Sequence, residues 1–178
     1  MLPFSIFYVY LHKTDKSCPA EGRDLVQHGL IASLDDLDGG SGVVWSNTFN
    51  SEIGATAKNF YKGDGNTTAI INQSGHTNSA AKLCADYTHG GFSDWYLPST
   101  IELREMDAAI MVIYDILAND GDNTTNPLHP EYASPSYGRY WSSTETNNSY
   151  AWYYHFTYGS SSNTLKHYTY RVRAVRAF

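Results

Sequence analysis

The stretch from residue 90 to residue 103, GGFSDWYLPSTIEL, decides how the middle of the chain folds. Within it, Ser99 and Glu102 form the S-x-x-E pattern of a capping box, in which each side chain satisfies a backbone amide of the other residue at a helix start. The pattern therefore predicts that a helix begins at Pro98 and Ser99.

Apolar residues continue from this cap at steps of three and four, which is the spacing of one buried helix stripe. The stripe consists of Leu103, Met106, Ile110, Ile113 and Leu117. It predicts one continuous helix that ends before the turn signal at residues 119–121, NDG.

A second helix is expected upstream, from Thr77 to Tyr87, with Thr77 as its N-cap. Its buried face would carry Ala80, Leu83, Cys84 and Tyr87.

The rest of the chain favours strands and loops. Upstream, residues 25–34 predict a strand that turns at Gly29, residues 35–42 a loop, residues 43–45 a short buried strand and residues 46–66 irregular chain. Residues 119–138 predict a long loop, and the expected C-terminal strands are 140–144, 151–157 and 171–178. The fold class is therefore α+β, with two helices packed on a small mixed or antiparallel sheet and long irregular loops.

The N-terminal residues 1–24 are expected to form an extension to a single domain of residues 25–178. Residues 1–11, MLPFSIFYVYL, favour an edge strand or a strand exchanged with a neighbouring subunit. They are too few to span a bilayer as a helix, and they lack the basic start and the cleavage site of a signal peptide.

The composition favours a recognition surface. Charged residues make up only 17% of the chain, while 15 of its residues are tyrosine. Surfaces rich in Tyr, Ser, Thr and Asn are typical of paratopes, because tyrosine offers a large contact area with few torsions to freeze. The net charge of −6 gives no reason to expect nucleic acid or membrane as a partner. The two cysteines, Cys18 and Cys84, allow either one disulfide or two thiols.

Residues 146–170, TNNSYAWYYHFTYGSSSNTLKHYTY, concentrate this composition, since 19 of the 25 are Asn, Ser, Thr, Tyr or His. Strand parity predicts that Trp152, Tyr154 and Phe156 face the core, while Tyr153, His155 and Thr157 point outward. The five frequent residue types can all be reached from an Asn codon by changing only its adenines. A mutagenesis system that targets adenine would produce this mixture, whereas an ordinary polar surface hairpin would need no such explanation.

Several motifs together carry a family resemblance. Residues 90–99 with Glu102-Leu103 are similar to the G-[YF]-S-D-W-x-L-P-[ST]-x-x-E-L signature of the Lcl C-terminal-like domain family. The same family's pattern is matched by residues 28–32 (HGLIA), 80–84 (AAKLC), 140–145 (YWSSTE) and 171–176 (RVRAVR). The resemblance covers residues 25–178 and implies a C-type-lectin-like fold, close to formylglycine-generating enzymes.

Within that family, residues 140–178 resemble the variable proteins of diversity-generating retroelements, which display changing side chains on a fixed scaffold. The resemblance implies that Trp141, Trp152, Phe156, Gly159 and residues 171–178 are framework, and parity assigns Tyr154 to the core. The expected ligand-binding positions are Thr146, Asn147, Asn148, Ser149, Tyr150, Tyr153, His155, Thr157, Tyr158, Ser160, Ser161, Ser162, Asn163, Thr164, Leu165, His167, Tyr168 and Thr169. Tyr150, Tyr153, Tyr158 and Tyr168 are the expected hot spots.

Catalytic and metal chemistry find little support in the sequence. No cysteine follows Cys84, although the formylglycine-generating activity needs a late cysteine pair. There is no H-E-x-x-H pair, G-x-S-x-G elbow or phosphate-binding glycine loop. Residues 120–123, DGDN, favour a solvated loop over a calcium site. The arginines at 171, 173 and 176 are expected to face carboxylates such as Glu145 or to lie in solvent.

The sequence therefore predicts a non-enzymatic ligand-binding or receptor-binding display protein that uses no cofactor or metal. Its partner would be a cell-surface protein or glycan, and oligomerisation would add avidity. Without a clear signal peptide, a virion part or an extracellular surface is the expected location. The alternative is an invariant adhesin or carbohydrate-binding domain of the same family.

Overall fold

The computed structural model describes residues 29–119 and 138–178, without the side chains of residues 116–118. The described chain has mixed α+β architecture, as predicted, but with more helices than expected. These are α1 (Gly63–Ile71), α2 (Ala80–Asp86), α3 (Thr100–Ala108) and α4 (Ile110–Asn119), with a short 3-10 turn at Ala55–Ala57. The strands are β1 (Leu30–Ala32), β2 (Val43–Val44), β3 (Arg139–Glu145), β4 (Tyr150–His155), β5 (Ser160–Leu165), β6 (Thr169–Tyr170) and β7 (Val175–Ala177).

The strands form three small antiparallel sheets within the described residues, in the orders β3-β4-β5, β1-β7 and β2-β6. Pairing of β1 with β7 joins Leu30 to Ala177 and so ties the C-terminus to the first described strand. The expected single strand over residues 171–178 is wrong. Only Val175–Ala177 is a strand, and the backbone at Arg171 instead forms a parallel bridge with Tyr140.

The capping box at the start of α3 is confirmed. The Glu102 amide donates to Ser99 Oγ, and the Ser99 amide donates to Glu102 Oε2 at 2.6 Å. The prediction of one continuous helix is wrong, however, because the helix is interrupted at Ala109, between α3 and α4. The Ala109 amide bonds to both Glu105 O and Met106 O, which tightens the last turn of α3. The apolar stripe runs through the break, so periodicity could not reveal it.

The start of α2 lies three residues later than predicted, at Ala80, and its N-cap is Ser79 rather than Thr77. Ser79 Oγ accepts from the Lys82 amide at 2.9 Å. The amides of Thr77 and Asn78 donate instead to Asn47 Oδ1, at 2.8 and 3.1 Å. A distant side chain therefore holds residues 77 and 78 outside the helix.

Helix α1 was not expected, because its sequence GDGNTTAII contains two glycines and two threonines that form helices poorly. Tertiary contacts override this weak propensity. The Asn66 amide group donates to Asn59 O and Ser143 Oγ, and Thr67 Oγ1 accepts from the Leu97 amide. A Cβ at Gly63 would lie 2.5 Å from Glu102 Oε2, so glycine is required for this close approach.

Two hydrophobic clusters cover the two faces of the β3-β4 pair. Tyr140, Tyr154 and Phe156 belong to one cluster with Leu103 and Met106 of α3. Trp141 and Ala151 belong to the other, which includes Trp45 and several other residues. The pair is therefore sandwiched, unlike a sheet with one face in solvent.

The C-terminal arginines are paired, but not with Glu145. Arg171 and Arg173 each contact Asp36 at 2.7 Å, and Tyr140 donates to the same carboxylate. Arg176 pairs with Asp94 at 2.7 Å. These contacts tie residues 171–176 to the loop that follows β1 and to the segment before α3.

Cys84 is a fully buried free thiol, and its burial raises the pKa of the thiol well above its usual value. Cys18 lies outside the described residues, as do the expected N-terminal strand and most of the expected 119–138 loop. No described helix is long and apolar enough to cross a membrane. Nor do the described residues bring three or more His, Cys, Asp or Glu side chains together as a metal site would require.

Candidate ligand-binding surface

The surface is built on a β-hairpin. Strand β4 pairs with β5 in continuous antiparallel register, from Tyr150 opposite Leu165 to His155 opposite Ser160. The turn between them spans residues 156–159 and ends at Gly159, whose φ of 59° lies in the left-handed region that this hairpin closure requires. Because β5 is an edge strand, residues 160–163 are exposed on both of its faces.

Strand parity predicted the environment of β4 only in part. Tyr154 and Phe156 are buried, as expected. The core assignment of Trp152 and the outward assignments of Tyr153 and His155 are wrong. Trp152 is half-buried and meets Phe60 edge-on at 5.4 Å, while Tyr153 packs on the second core cluster and contacts Tyr170 at 4.9 Å. Both faces of β4 are packed, so a two-residue period cannot separate core from surface.

The expected ligand-binding positions differ in their exposure. Ten are exposed, and we call these the display patch: Asn148, Tyr150, Tyr158, Ser160, Ser161, Ser162, Asn163, His167, Tyr168 and Thr169. Seven are half-buried: Thr146, Asn147, Ser149, Tyr153, Thr157, Thr164 and Leu165. His155 is only 8% exposed, and its ring lies 4.3 Å from that of Tyr158.

The display patch has two ends joined by β5. At the turn end, Tyr158 is 73% exposed and precedes the exposed Ser160 by two residues. At the loop end, residues 146–149 meet residue 166 and the chain that follows it, where the Lys166 amide donates to Ser149 O. The six residues of β5 separate the two ends by about 20 Å, a span that a macromolecular ligand could cover.

Local hydrogen bonds shape the loop end. Asn147 Oδ1 accepts from the amides of Ser149 and Tyr150, at 2.9 and 3.0 Å, which fixes the turn between β3 and β4. His167 packs edge-on against Phe49 at 5.8 Å. Phe49 is 37% exposed and thus extends the surface beyond the positions predicted from the sequence.

A buried ion pair lies beneath the loop end. Lys166 Nζ donates to Glu145 Oε1 at 2.6 Å, to Ser51 O at 3.2 Å and to Asn148 O at 3.1 Å, and both charged side chains have no exposed surface. Glu145 also accepts from the amides of Ile53 and Gly54. Burial lowers the pKa of Lys166, an effect that the Glu145 carboxylate opposes.

Sequence reasoning missed Lys166 as an anchor, although one signal was present. Lys166 is the only Lys, Arg, Asp or Glu among residues 146–170. A single charged residue in a segment of neutral polar residues suggests that its charge is needed, for example to pair with a buried charge of opposite sign. By binding Glu145 and the Asn148 carbonyl, Lys166 fixes the loop end of the hairpin, while nearby side chains of the display patch stay exposed.

A second charged residue outside the predicted binding positions, Arg139, lies at the turn end. Arg139 of β3 is paired in register with His155. Its guanidinium carbon lies 5.9 Å from the ring centre of Tyr153 and 5.6 Å from that of Tyr170. Burial lowers the pKa of His155, and the positive charge of Arg139 lowers it further.

Comparison with known proteins identifies the family. Residues 37–176 match the model of the Lcl C-terminal domain, and the chain therefore belongs to that family. No curated protein matches the chain.

A solved structure of low sequence identity has a similar fold. The chain is similar to a fimbrial protein from Bacteroides ovatus ATCC 8483, with a TM-score of 0.59 and 17% sequence identity. The alignment covers 84% of this chain but only 35% of the fimbrial protein, so the chain spans about a third of that protein's length. At this identity the similarity concerns the fold alone.

Proposed function

We propose that the protein is a ligand-binding display protein whose display patch contacts a protein or glycan on a cell surface. One observation carries the proposal: ten of the expected binding positions are exposed on one hairpin and the chain on either side of it, next to a buried framework. Rigid strands hold these side chains in place, which lowers the entropy lost on binding.

The chemistry of the patch suits recognition rather than catalysis. Its members are Tyr, Ser, Asn, His and Thr, which offer ring surface and hydrogen bonds without charge. The one described thiol, Cys84, is fully buried with a raised pKa, which makes it a poor nucleophile. Membership of the Lcl C-terminal domain family agrees with a binding role.

We further propose that the fold is C-type-lectin-like and that the patch is diversified by retroelement adenine mutagenesis. The pairing of β1 with β7 and the family membership support the fold assignment. The restriction of the patch to residues reachable from Asn codons supports diversification. In this proposal the protein is part of a virion or of an extracellular surface, and oligomerisation multiplies weak single-site affinity.

The second candidate is an adhesin of fixed sequence. It is supported by the same exposed patch, and the solved structure that shares the fold is a fimbrial protein. The two candidates share the binding surface and differ in the gene.

Sequencing separates the two candidates. In a population of the source cells or phage, diversification predicts substitutions at adenines of the patch codons and none in codons 140–145 or 170–178. A nearby template repeat with adenines at the varied positions, beside a reverse transcriptase gene, is also expected. An identical gene in every member, with no template, would leave the adhesin.

Binding is tested with the purified full chain on glycan arrays and on panels of whole bacterial cells. Tyr158→Ala and Tyr168→Ala should each weaken any binding found by about 30-fold, the loss expected when an exposed anchor of about 2 kcal/mol is removed. Tyr61→Ala is the matched control, because Tyr61 is 70% exposed outside the patch while Tyr158 is 73% exposed within it. Equal losses from Tyr61→Ala and the patch variants would contradict the proposed surface.

A further inference from the structure

Three polar side chains form a row across the turn end of the sheet. Arg139 is paired with His155, and His155 with Ser160, one residue from each of β3, β4 and β5. Cross-strand partners point to the same face of a sheet, so the three side chains project from one face of the sheet at neighbouring positions. Ser160 is exposed and Arg139 half-buried, so the row reaches solvent.

Arg139 differs from the arginines that follow it along the chain. Arg171, Arg173 and Arg176 all pair with carboxylates. Arg139 forms no ion pair with any residue in the described ranges, and its Nε is buried without a hydrogen-bond acceptor. His155 Nδ1, in the same row, is also buried and unsatisfied. Buried polar atoms are normally hydrogen-bonded, so an exception calls for an explanation.

The surrounding rings hold the guanidinium in place. Tyr153 and Tyr170 lie on it at distances typical of cation–π contacts, and they pack against each other at an interplanar angle of 67°. Within the described ranges, these two rings therefore hold Arg139 in place without a carboxylate. A planar guanidinium that is already fixed loses little entropy when it binds a planar carboxylate through two hydrogen bonds.

We propose that Arg139, His155 and Ser160 form a carboxylate subsite that receives an Asp or Glu side chain of a protein partner. The proposal rests on the proposed display function and names the chemistry of its ligand. The positive charge of Arg139 is complementary to the carboxylate, and Tyr158, whose ring lies on His155, borders the subsite.

An acidic protein side chain fits this subsite better than an acidic sugar. A sugar that carries a carboxylate also presents a bulky ring, which needs a surface to pack on beside the guanidinium. Here the rings of Tyr153 and Tyr170 are occupied by each other and by Arg139, which leaves Tyr158 as the exposed ring beside the row. A carboxylate on a short side chain needs only the guanidinium and its neighbouring donors.

Nuclear magnetic resonance of the full chain tests the subsite with defined probes. The signals of Arg139 Nε–H and the His155 ring are followed during titration with acetyl-Gly-Asp-Gly-amide. We expect saturable shifts, with at least about tenfold weaker binding of the matched acetyl-Gly-Asn-Gly-amide. An equal response to both peptides, or stronger binding of methyl glucuronide, would overturn the proposal.

Variants complete the test. Arg139→Gln should abolish the shift of the His155 ring signals on titration with the Asp peptide. Arg139→Lys should weaken that shift, because lysine keeps the charge but loses the planar fork. Arg104→Gln removes the same charge from an exposed site on α3 and should have no effect. Retained binding in Arg139→Gln, or equal loss in Arg104→Gln, would contradict the subsite.

The outcome is separable from that of the display function. If whole-cell binding is lost in Tyr158→Ala and Tyr168→Ala but unchanged in Arg139→Gln, the carboxylate subsite fails and the display function stands. If the tyrosine variants bind cells as well as the parent does, the display function fails, whatever the Asp peptide does at Arg139.

Discussion

Strands β3 and β5 belong to one sheet and both contain several Ser and Thr residues, yet they lie in opposite environments. In β3, RYWSSTE, six of seven residues are buried, whereas in β5, SSSNTL, the first four are exposed. The hydroxyls of β3 have partners: Ser142 Oγ bonds with Thr100 Oγ1 at 2.9 Å, and Ser143 Oγ accepts from Asn66. Position in the sheet, rather than residue type, decides whether a serine side chain bonds within the fold or is exposed to solvent.

The buried ion pair should give the largest effect on the framework side of this comparison. Lys166→Met leaves the Glu145 charge buried without its cation, which should cost about 3–5 kcal/mol of unfolding free energy. Urea unfolding measures the loss, and adding Glu145→Gln should recover much of it. Lys82→Met, which breaks an exposed pair with Asp86, should cost at most about 0.5 kcal/mol. Equal costs for both lysines would contradict the anchoring role.

The two tryptophans of the hairpin region should differ. Trp141 is fully buried and its indole donates to Val43 O at 2.8 Å, so Trp141→Ala should cost about 3–5 kcal/mol. Trp152 is half-buried, and Trp152→Ala should cost only about 1–2 kcal/mol. Thermal and urea unfolding rank the two. A larger cost at Trp152 would restore the core position that strand parity suggested.

A pair of serine substitutions sharpens the comparison at the scale of single hydroxyls. Ser142→Ala removes the partner of Thr100 and of the buried Thr144 amide, so about 1–3 kcal/mol should be lost. Ser162→Ala on β5 should change stability by less than about 0.5 kcal/mol. Denaturant midpoints measured under one set of conditions decide the matter, and indistinguishable midpoints would erase the proposed difference between the strands.

Local signals made much of the fold predictable, and distant contacts account for the errors. The capping box of Ser99 and Glu102 lies within four residues and was read correctly. Helix α1 depends on Leu97 and Ser143, which are remote in sequence, as well as on the nearby Asn59, so its poor propensity was misleading. The start of α2 was misplaced for the same reason, because Asn47 binds the preceding amides.

The sequence predicted the location and residue types of the candidate site, but not the burial of each side chain. The sequence located the polar hairpin, and the structure exposes ten of its eighteen expected positions. Alternation along β4 failed because both faces of that strand are packed. Arg139 was not predicted, because its importance depends on the lack of an ion-pair partner within residues 29–119 and 138–178, which only the structure reveals.

The central claim, that a fixed framework carries an exchangeable surface, is tested most directly by changing the whole patch at once. All ten residues of the display patch would be replaced by other members of the Asn, Ser, Thr, Tyr and His set, and urea unfolding measured. We expect cooperative unfolding with a free energy within about 2 kcal/mol of the parent chain, since exposed substitutions contribute little each. Loss of cooperative unfolding in most such variants would contradict the claim.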